Sequence, residues 1–267
     1  VQREKESMHG DPDEKRRPAA RPREYVSDLY RKYMSTGYGE VVSWSPEEYE
    51  FQARYFSKNH GRHLPKAKDS VILDVACGVG HFLYYAQKSG YTNCTGIDIS
   101  QECLDVCKRN GLPAETADAF VYLRDRKDSF DAIVSNEFFE HLKKDQAFEL
   151  AGLCHGALKE GGVLIIKVPN SACPVVGARA RYSDITHEMG YIDHSLRTLL
   201  SAAGFQDVEV FGPDIYVTRN PLANLIAKAM FRLVTLCFRF LYLLYGVRYR
   251  HVMTKNIIGV ARKLSAT

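Results

Sequence analysis

At 267 residues and 45% hydrophobic, the chain carries enough apolar mass for one substantial core with a modest addition. Its seven cysteines, at 77, 94, 103, 107, 154, 173 and 237, lack paired metal-knuckle spacing and no secretory segment opens the sequence, which sets aside a disulfide framework and predicts a reducing cytoplasm. The formal charge of +4 is uneven: residues 215–267 hold nine Lys or Arg and no Asp or Glu, leaving −5 on the remainder, so contact with an anionic surface is favoured and a protein that wraps nucleic acid is not.

Residues 1–24 are charged, rich in Pro and Arg and nearly devoid of large apolar groups. Burial cannot offset the entropy of ordering them, and a flexible tail is expected. Residues 25–66 form an expected N-terminal helical cap. Tyr25, Tyr30, Tyr33 and Tyr38 precede Ser45-Pro46-Glu47-Glu48, where Ser45 as N-cap and Glu48 three residues on predict a capping box and a helix through Phe56. Such a cap either closes over a substrate or simply packs against the sheet.

Residues 67–267 alternate strand and helix. Strands are predicted at 71–75, 93–98, near 113–115, 130–135, 163–169, 207–211 and 257–262, with helices near 80–88, 101–109, 144–158 and 194–203 between them. This alternation predicts an α/β fold with a mostly parallel, doubly wound sheet and ligands at the carboxyl ends of its strands.

Asp74 ends the first strand, which turns through Ala76-Cys77-Gly78-Val79-Gly80 into a helix. Gly78 and Gly80 let the backbone approach a ligand closely, while Asp74 accepts hydrogen bonds or organises the turn. Alone, the segment is equally a tight connection. Asp98 ends the second strand, 24 residues after Asp74, where its carboxylate is placed to accept from two ribose hydroxyls. Asp118 follows the third strand and either meets an adenine amino group, with Phe120 against the ring, or caps a helix.

Together these segments resemble the class I methyltransferases that use S-adenosylmethionine. The family's glycine-rich motif maps onto residues 74–80, its ribose acid onto Asp98 and its adenine-contacting acid onto Asp118. Phe130-Asp131-Ala132-Ile133-Val134-Ser135 resembles its fourth strand, and residues 158–166 resemble its helix end, glycine turn and fifth strand. The resemblance implies a seven-stranded sheet with an antiparallel last strand, S-adenosyl-L-methionine as cofactor, and cofactor contacts from Asp74, Ala76, Gly78, Gly80, Asp98, Ile99, Asp118, Ala119 and Asn136. One departure stands out, because the family usually has Gly where this chain has Ala76; the methyl group is tolerated if φ is negative. A non-enzymatic scaffold that retains the fold is the alternative this departure raises.

After the fourth strand, Glu140-His141 resembles the Glu-His pair of small-molecule methyltransferases, and His141 is placed either to act on the acceptor or to orient the loop. Residues 177–188 follow Pro169-Asn170 in a long polar loop suited to a polar small-molecule or glycan acceptor, a sugar hydroxyl first. His187 is the first candidate base, with Asp184 as its orienter or substitute; Arg179 and Arg181 bind a charged substrate or sit in solvent. The spacing of Asp184, His187, Asp193 and His194 matches no specific ligand pattern, so no metal is expected. Quinones, lipids and natural products are the alternative acceptors.

Between the sixth and seventh strands an amphipathic helical insertion is expected at about 215–250. Residues 222–245 predict a helix of about 36 Å. Asn224, Lys228, Arg232, Thr235 and Arg239 form one largely basic stripe, and apolar residues occupy the wide remainder. Arg232 and Arg239 would each cost about 2.5–3.5 kcal/mol near the centre of a span. The helix is therefore expected to lie in an anionic membrane surface, aided by Arg248, Arg250 and Lys255, on the inner face of the membrane, or to pack against a second subunit in a homodimer. The insertion also resembles C-terminal parts of bacterial methyltransferases found with surface-polysaccharide and lipid-linked glycan machinery.

Overall fold

The computed structural model describes Ser35 and residues 43–214, 220–246 and 252–264. The expected tail at 1–24, the four tyrosines between 25 and 38, and Arg248 and Arg250 lie outside the described residues.

Helix α1 (Pro46–Asn59) starts where the capping sequence predicts, with the Ser45 hydroxyl accepting from the Glu48 amide at 3.2 Å. The box closes on one side only. Glu48 accepts instead from the Gln52 side chain at 2.7 Å, and the Ser45 amide turns to the Ser43 hydroxyl. The helix also continues three residues past Phe56.

Among the described residues seven strands form one sheet: β1 (Ile72–Val75), β2 (Cys94–Asp98), β3 (Ala114–Thr116), β4 (Phe130–Asn136), β5 (Leu158–Pro169), β6 (Asp207–Phe211) and β7 (Asn256–Arg262), in the order β3-β2-β1-β4-β5-β7-β6. The first five pair in parallel, and β7 runs antiparallel to both β5 and β6. Strand order reverses between β1 and β4, which opens the crevice in which such sheets bind ligands. Helices α2 (His81–Lys88), α3 (Gln101–Arg109), α4 (Ala119–Arg124), α5 (Lys144–Ala157), α6 (Gly177–Tyr182) and α7 (Asp193–Ala202) complete the body.

Both sheet faces are covered, so the central strands are apolar throughout. Ile72, Val134 and Ile165 pack with Phe56, Phe82 and Leu104, whereas Leu73, Ile133 and Leu164 pack with Leu150, Leu196 and Leu200 on the other side.

β5 begins five residues earlier than expected. Phe130 pairs with Leu158 and Ala132 with Val163, so residues 159–162 form an irregular bulge rather than a free turn. Gly161 sits there at φ 74°, and Lys159 reaches back to Asp131 at 2.8 Å. Short α6 occupies a stretch where no helix was predicted, and α4 is the helix that the capping alternative for Asp118 allowed.

Helix α8 (Pro221–Leu244) fills the insertion between β6 and β7, capped by the Asn220 side chain. Its polar stripe does not stay together. Asn224 is buried and Lys228 binds Asp214 at 2.7 Å, so this part of the stripe faces the body, while Leu225, Ile226, Met230, Leu233, Leu236 and Phe240 are exposed. Among the described residues, no helix is long and apolar enough to cross a membrane.

Candidate active site

The glycine loop leaves β1 at Ala76. Asp98 at the end of β2 holds it, with one carboxylate oxygen accepting from the Gly78 amide at 2.9 Å and the other from the Ser100 amide at 2.8 Å. Each oxygen retains a lone pair for a further donor. Burial pushes the Asp98 carboxyl up, opposed by the amides of Ser100, Gly78 and Ile99. No atom comes within 4 Å of where a Cβ on Gly78 would stand, so the space before this backbone is open. Gly80 has φ 82°, and a Cβ there would come within 2.7 Å of Leu112. From α1, the Tyr49 hydroxyl donates to the Val79 carbonyl at 2.6 Å, fastening the cap to the loop.

Ala76 corrects one expectation: its φ is 56°, in the left-handed region, where a Cβ costs about 1–2 kcal/mol. The extra backbone entropy of glycine offsets part of this. Ala76→Gly is therefore expected to raise the melting temperature by about 2 °C without weakening donor binding, as scanning calorimetry would measure. A lower melting temperature would mean that the Ala76 methyl group contributes more by packing than its backbone loses.

Asp118 caps α4, accepting from the Phe120 and Val121 amides at 2.9 and 3.1 Å through one carboxylate oxygen. Ala119 is buried beside it, whereas Ile99, next to Asp98, is 41% exposed and offers an apolar surface at the strand end.

Asn136 turns toward α1. Its side-chain oxygen accepts from His60 Nε2 at 3.0 Å, while Asn136 Nδ2 and His60 Nδ1 are buried without partners. Next to Asn136 in the register lies Lys167 on β5. Its ammonium binds Glu137 at 3.1 Å and stands 5.2 Å from the Tyr55 ring, whose hydroxyl is also buried without a partner. Glu137 takes φ 54° and accepts from Asn256 of β7 as well. Burial raises Glu137, but the Lys167 charge overcomes it and holds the carboxyl below its usual range; burial and the Glu137 charge hold Glu140 well above it. Asp74, 2% exposed, is likewise raised, first by burial and then by Asp98.

His60, Tyr55 and Lys167 did not figure among the sequence candidates. A lone lysine inside Leu164-Ile165-Ile166-Lys167-Val168 was the available signal.

Burial depresses the His60 pKa to about 3 and that of His141 to about 4, from an ordinary value near 6.5. Between those values and pH 6.5 the unfolded chain binds more protons than the folded one. Stability should rise with pH across this window and level off above it, by up to about 1.4 kcal/mol per pH unit for each group. His60→Gln is expected to remove one such contribution, flattening the dependence seen in urea melts at pH 5 and 7. Parallel slopes for variant and wild type would contradict it.

The remaining predicted residues meet at one place. A 3-10 turn (Phe139–His141) presents His141, whose Nδ1 lies 2.8 Å from the Thr186 hydroxyl. That hydroxyl donates to Asp184 at 2.6 Å, so Asp184 reaches His141 through Thr186. The sequence paired Asp184 with His187 directly; here the Asp184 carbonyl accepts the His187 amide at 3.2 Å while its carboxylate holds Thr186. His187 Nδ1 faces the Ala180 carbonyl at 2.9 Å, and the two histidine rings meet edge-on, 4.7 Å apart. Arg181 donates to the carbonyls of His187 and Glu188, which makes it a brace for this loop rather than a substrate arm. Glu140, 2% exposed, accepts the Glu188 and Met189 amides on its carbonyl.

A cavity of about 630 Å³ lined by Arg62, His63, Tyr91 and Arg262 also includes Asp131 and Val163, near the amino ends of β4 and β5. It belongs to the end of the sheet away from Asp98 and His187.

A family model described as a methyltransferase domain matches residues 49–210, more than half of the chain, and the chain belongs to that family. With this sheet order and glycine loop it is a class I S-adenosylmethionine-dependent methyltransferase. The O-methyltransferase cnsE of Penicillium expansum is 29% identical over 196 residues, 69% of each protein. A SAM-dependent methyltransferase from Archaeoglobus fulgidus superimposes with a TM-score of 0.64 at 21% identity, covering 86% of this chain and 99% of that one. Phosphoethanolamine N-methyltransferase 2 of Haemonchus contortus, in complex with S-adenosyl-L-methionine, gives 0.53 at 16% identity, covering 88% and 60%. These two likenesses establish the fold.

The open space at Gly78, the spare lone pairs of Asp98 and the exposed Ile99 fit the methyl donor. Asp98 would hold the ribose, Ile99 and the α4 start the adenine, and the Gly78 backbone the methionine portion.

Proposed function

We propose that the chain methylates an oxygen of a polar small molecule or glycan unit, a sugar hydroxyl first, with the acceptor bound between the glycine loop and the His141–His187 pair. The donor supplies an electrophilic methyl group on sulfonium sulfur. The chain's part is to align the acceptor oxygen with that methyl, exclude water and draw off the hydroxyl proton.

The observation that carries this reading is the pair of histidines with Nδ1 engaged, on Thr186 for His141 and on Ala180 for His187. Nε2 is then the basic nitrogen of each ring. The O-methyltransferase relative also favours oxygen as the methylated atom.

Transfer of labelled methyl to glycans, lipid extracts, natural products, RNA and proteins tests the reading. Label in an ether of a hydroxyl acceptor is the expected result, with His187→Ala keeping donor affinity while turnover falls at least about 100-fold. Label confined to amines, RNA or protein would refute it.

The exposed apolar side of α8, with Arg232 and Arg239 beside it, supports a second element of the proposal: peripheral attachment to an anionic membrane on its cytoplasmic face. Flotation with anionic vesicles should be lost on changing Arg232 and Arg239 to Glu. Unchanged flotation, or a dimer that forms without lipid and hides α8, would count against it.

A further inference from the structure

Among the described residues, one ring nitrogen of His141, one of His187 and a carboxylate oxygen of Glu140 all lie within 4.8 Å of one another. We propose that these three side chains bind a single divalent first-row transition-metal ion of the Zn²⁺ or Mn²⁺ type. This departs from the expectation drawn from ligand spacing, because Glu140 and His141 sit on one turn and His187 arrives from a loop 46 residues later.

Three independent features suit an ion. First, the carboxyl group is deeply buried and shares a hydrogen bond with the Glu137 carboxylate, a pair that needs a proton between its members or a cation in that proton's place. Second, both histidines have the outer-shell support typical of metal ligands: Nδ1 of His141 on Thr186, itself bonded to Asp184, and Nδ1 of His187 on a backbone carbonyl. Such contacts fix the tautomer and present Nε2 to a metal. Third, the donor set mixes two imidazoles with one carboxylate, which selects a transition metal over Mg²⁺ or Ca²⁺, and three ligands leave coordination positions open. Ligands about 2.0–2.2 Å from the ion stand about 3.4 Å apart in a tetrahedral site, so the cluster must close in by no more than about 1.5 Å.

The ion's catalytic use rests on the methyl-transfer reading, but its binding does not. An acceptor hydroxyl on an open position would lose its proton to solvent, and its oxygen would form the new bond to the methyl carbon. The carbon–sulfur bond would break with its electron pair remaining on sulfur, leaving a neutral thioether. His187 cannot lend the same Nε2 lone pair to a metal and to a proton, so metal ligation replaces its role as free base.

The full chain, stripped with chelator, is titrated calorimetrically with Zn²⁺ and separately with Mn²⁺, and S-adenosylmethionine binding is measured on the same samples. One equivalent of Zn²⁺ or Mn²⁺ should bind at micromolar concentration or tighter. Affinity should fall at least 100-fold in His187→Ala, whose half-exposed position tolerates substitution, and remain unchanged in His194→Ala, an exposed histidine outside the cluster. Equal affinity in wild type and His187→Ala overturns the site. So does the absence of saturable binding of either ion to a stripped protein that still binds S-adenosylmethionine, a result that leaves the methyl-transfer reading intact.

Discussion

Asp98→Ala is expected to raise the dissociation constant for S-adenosylmethionine about 100-fold. The carboxylate holds the Gly78 and Ser100 amides and has lone pairs left for two ribose hydroxyls. Hydrogen bonds to a charged group contribute about 1.5–3 kcal/mol each, and about 2.7 kcal/mol corresponds to 100-fold. The net figure is well below the sum because water reaches the vacated site. Calorimetric titration measures it, with thermal melting as a check on folding. A change below threefold in a folded variant would remove Asp98 from the cofactor site.

Lys167→Met should produce the largest loss of stability, about 3 kcal/mol in urea unfolding. Lys167 is 11% exposed and Glu137 36%, so the pair lies between a fully buried bridge, where losing one partner costs about 3–5 kcal/mol, and a surface pair. Burial alone would lower the Lys167 pKa, yet Glu137 and Tyr55 hold it above its ordinary value, so the ammonium persists. Methionine leaves the Glu137 charge without its main partner. Adding Glu137→Gln should recover part of the loss, and the double-mutant cycle reports their coupling. Additive effects would show that Lys167 acts by packing alone.

The sheet was legible because its central strands are buried on both faces and stand out as short apolar runs between turn residues, from Ile72 to Ala261. The glycine loop and Asp98 were legible because each follows directly from a strand end. The bulge at 159–162 was not, since Lys159-Glu160-Gly161-Gly162 has the composition of a turn and only pairing with Phe130 makes Leu158 a strand residue. The link from Asp184 through Thr186 to His141 depends on a loop folding back over a turn 45 residues away, and local patterning has no access to it. His60 was hidden for the same reason: its burial exists only once the end of α1 meets Phe82 of α2 and Asn136 at the end of β4. The sidedness of α8 was half legible, since periodicity separated the two stripes but could not say which one faced the body.

On either side of the inserted α8, described residues of the chain are tied to the body close to residues of the proposed site. On the way in, the Asp214 amide donates to Asn59, beside His60; on the way out, the Val252 and Thr254 carbonyls accept from Asn170, where the loop carrying His187 departs. With α8 on a membrane as proposed, that surface would stand close to the proposed acceptor site. An acceptor confined to the same surface would reach the cleft by lateral diffusion in two dimensions, and mutations far out on the helix would then alter capture of acceptor while leaving the donor's affinity untouched.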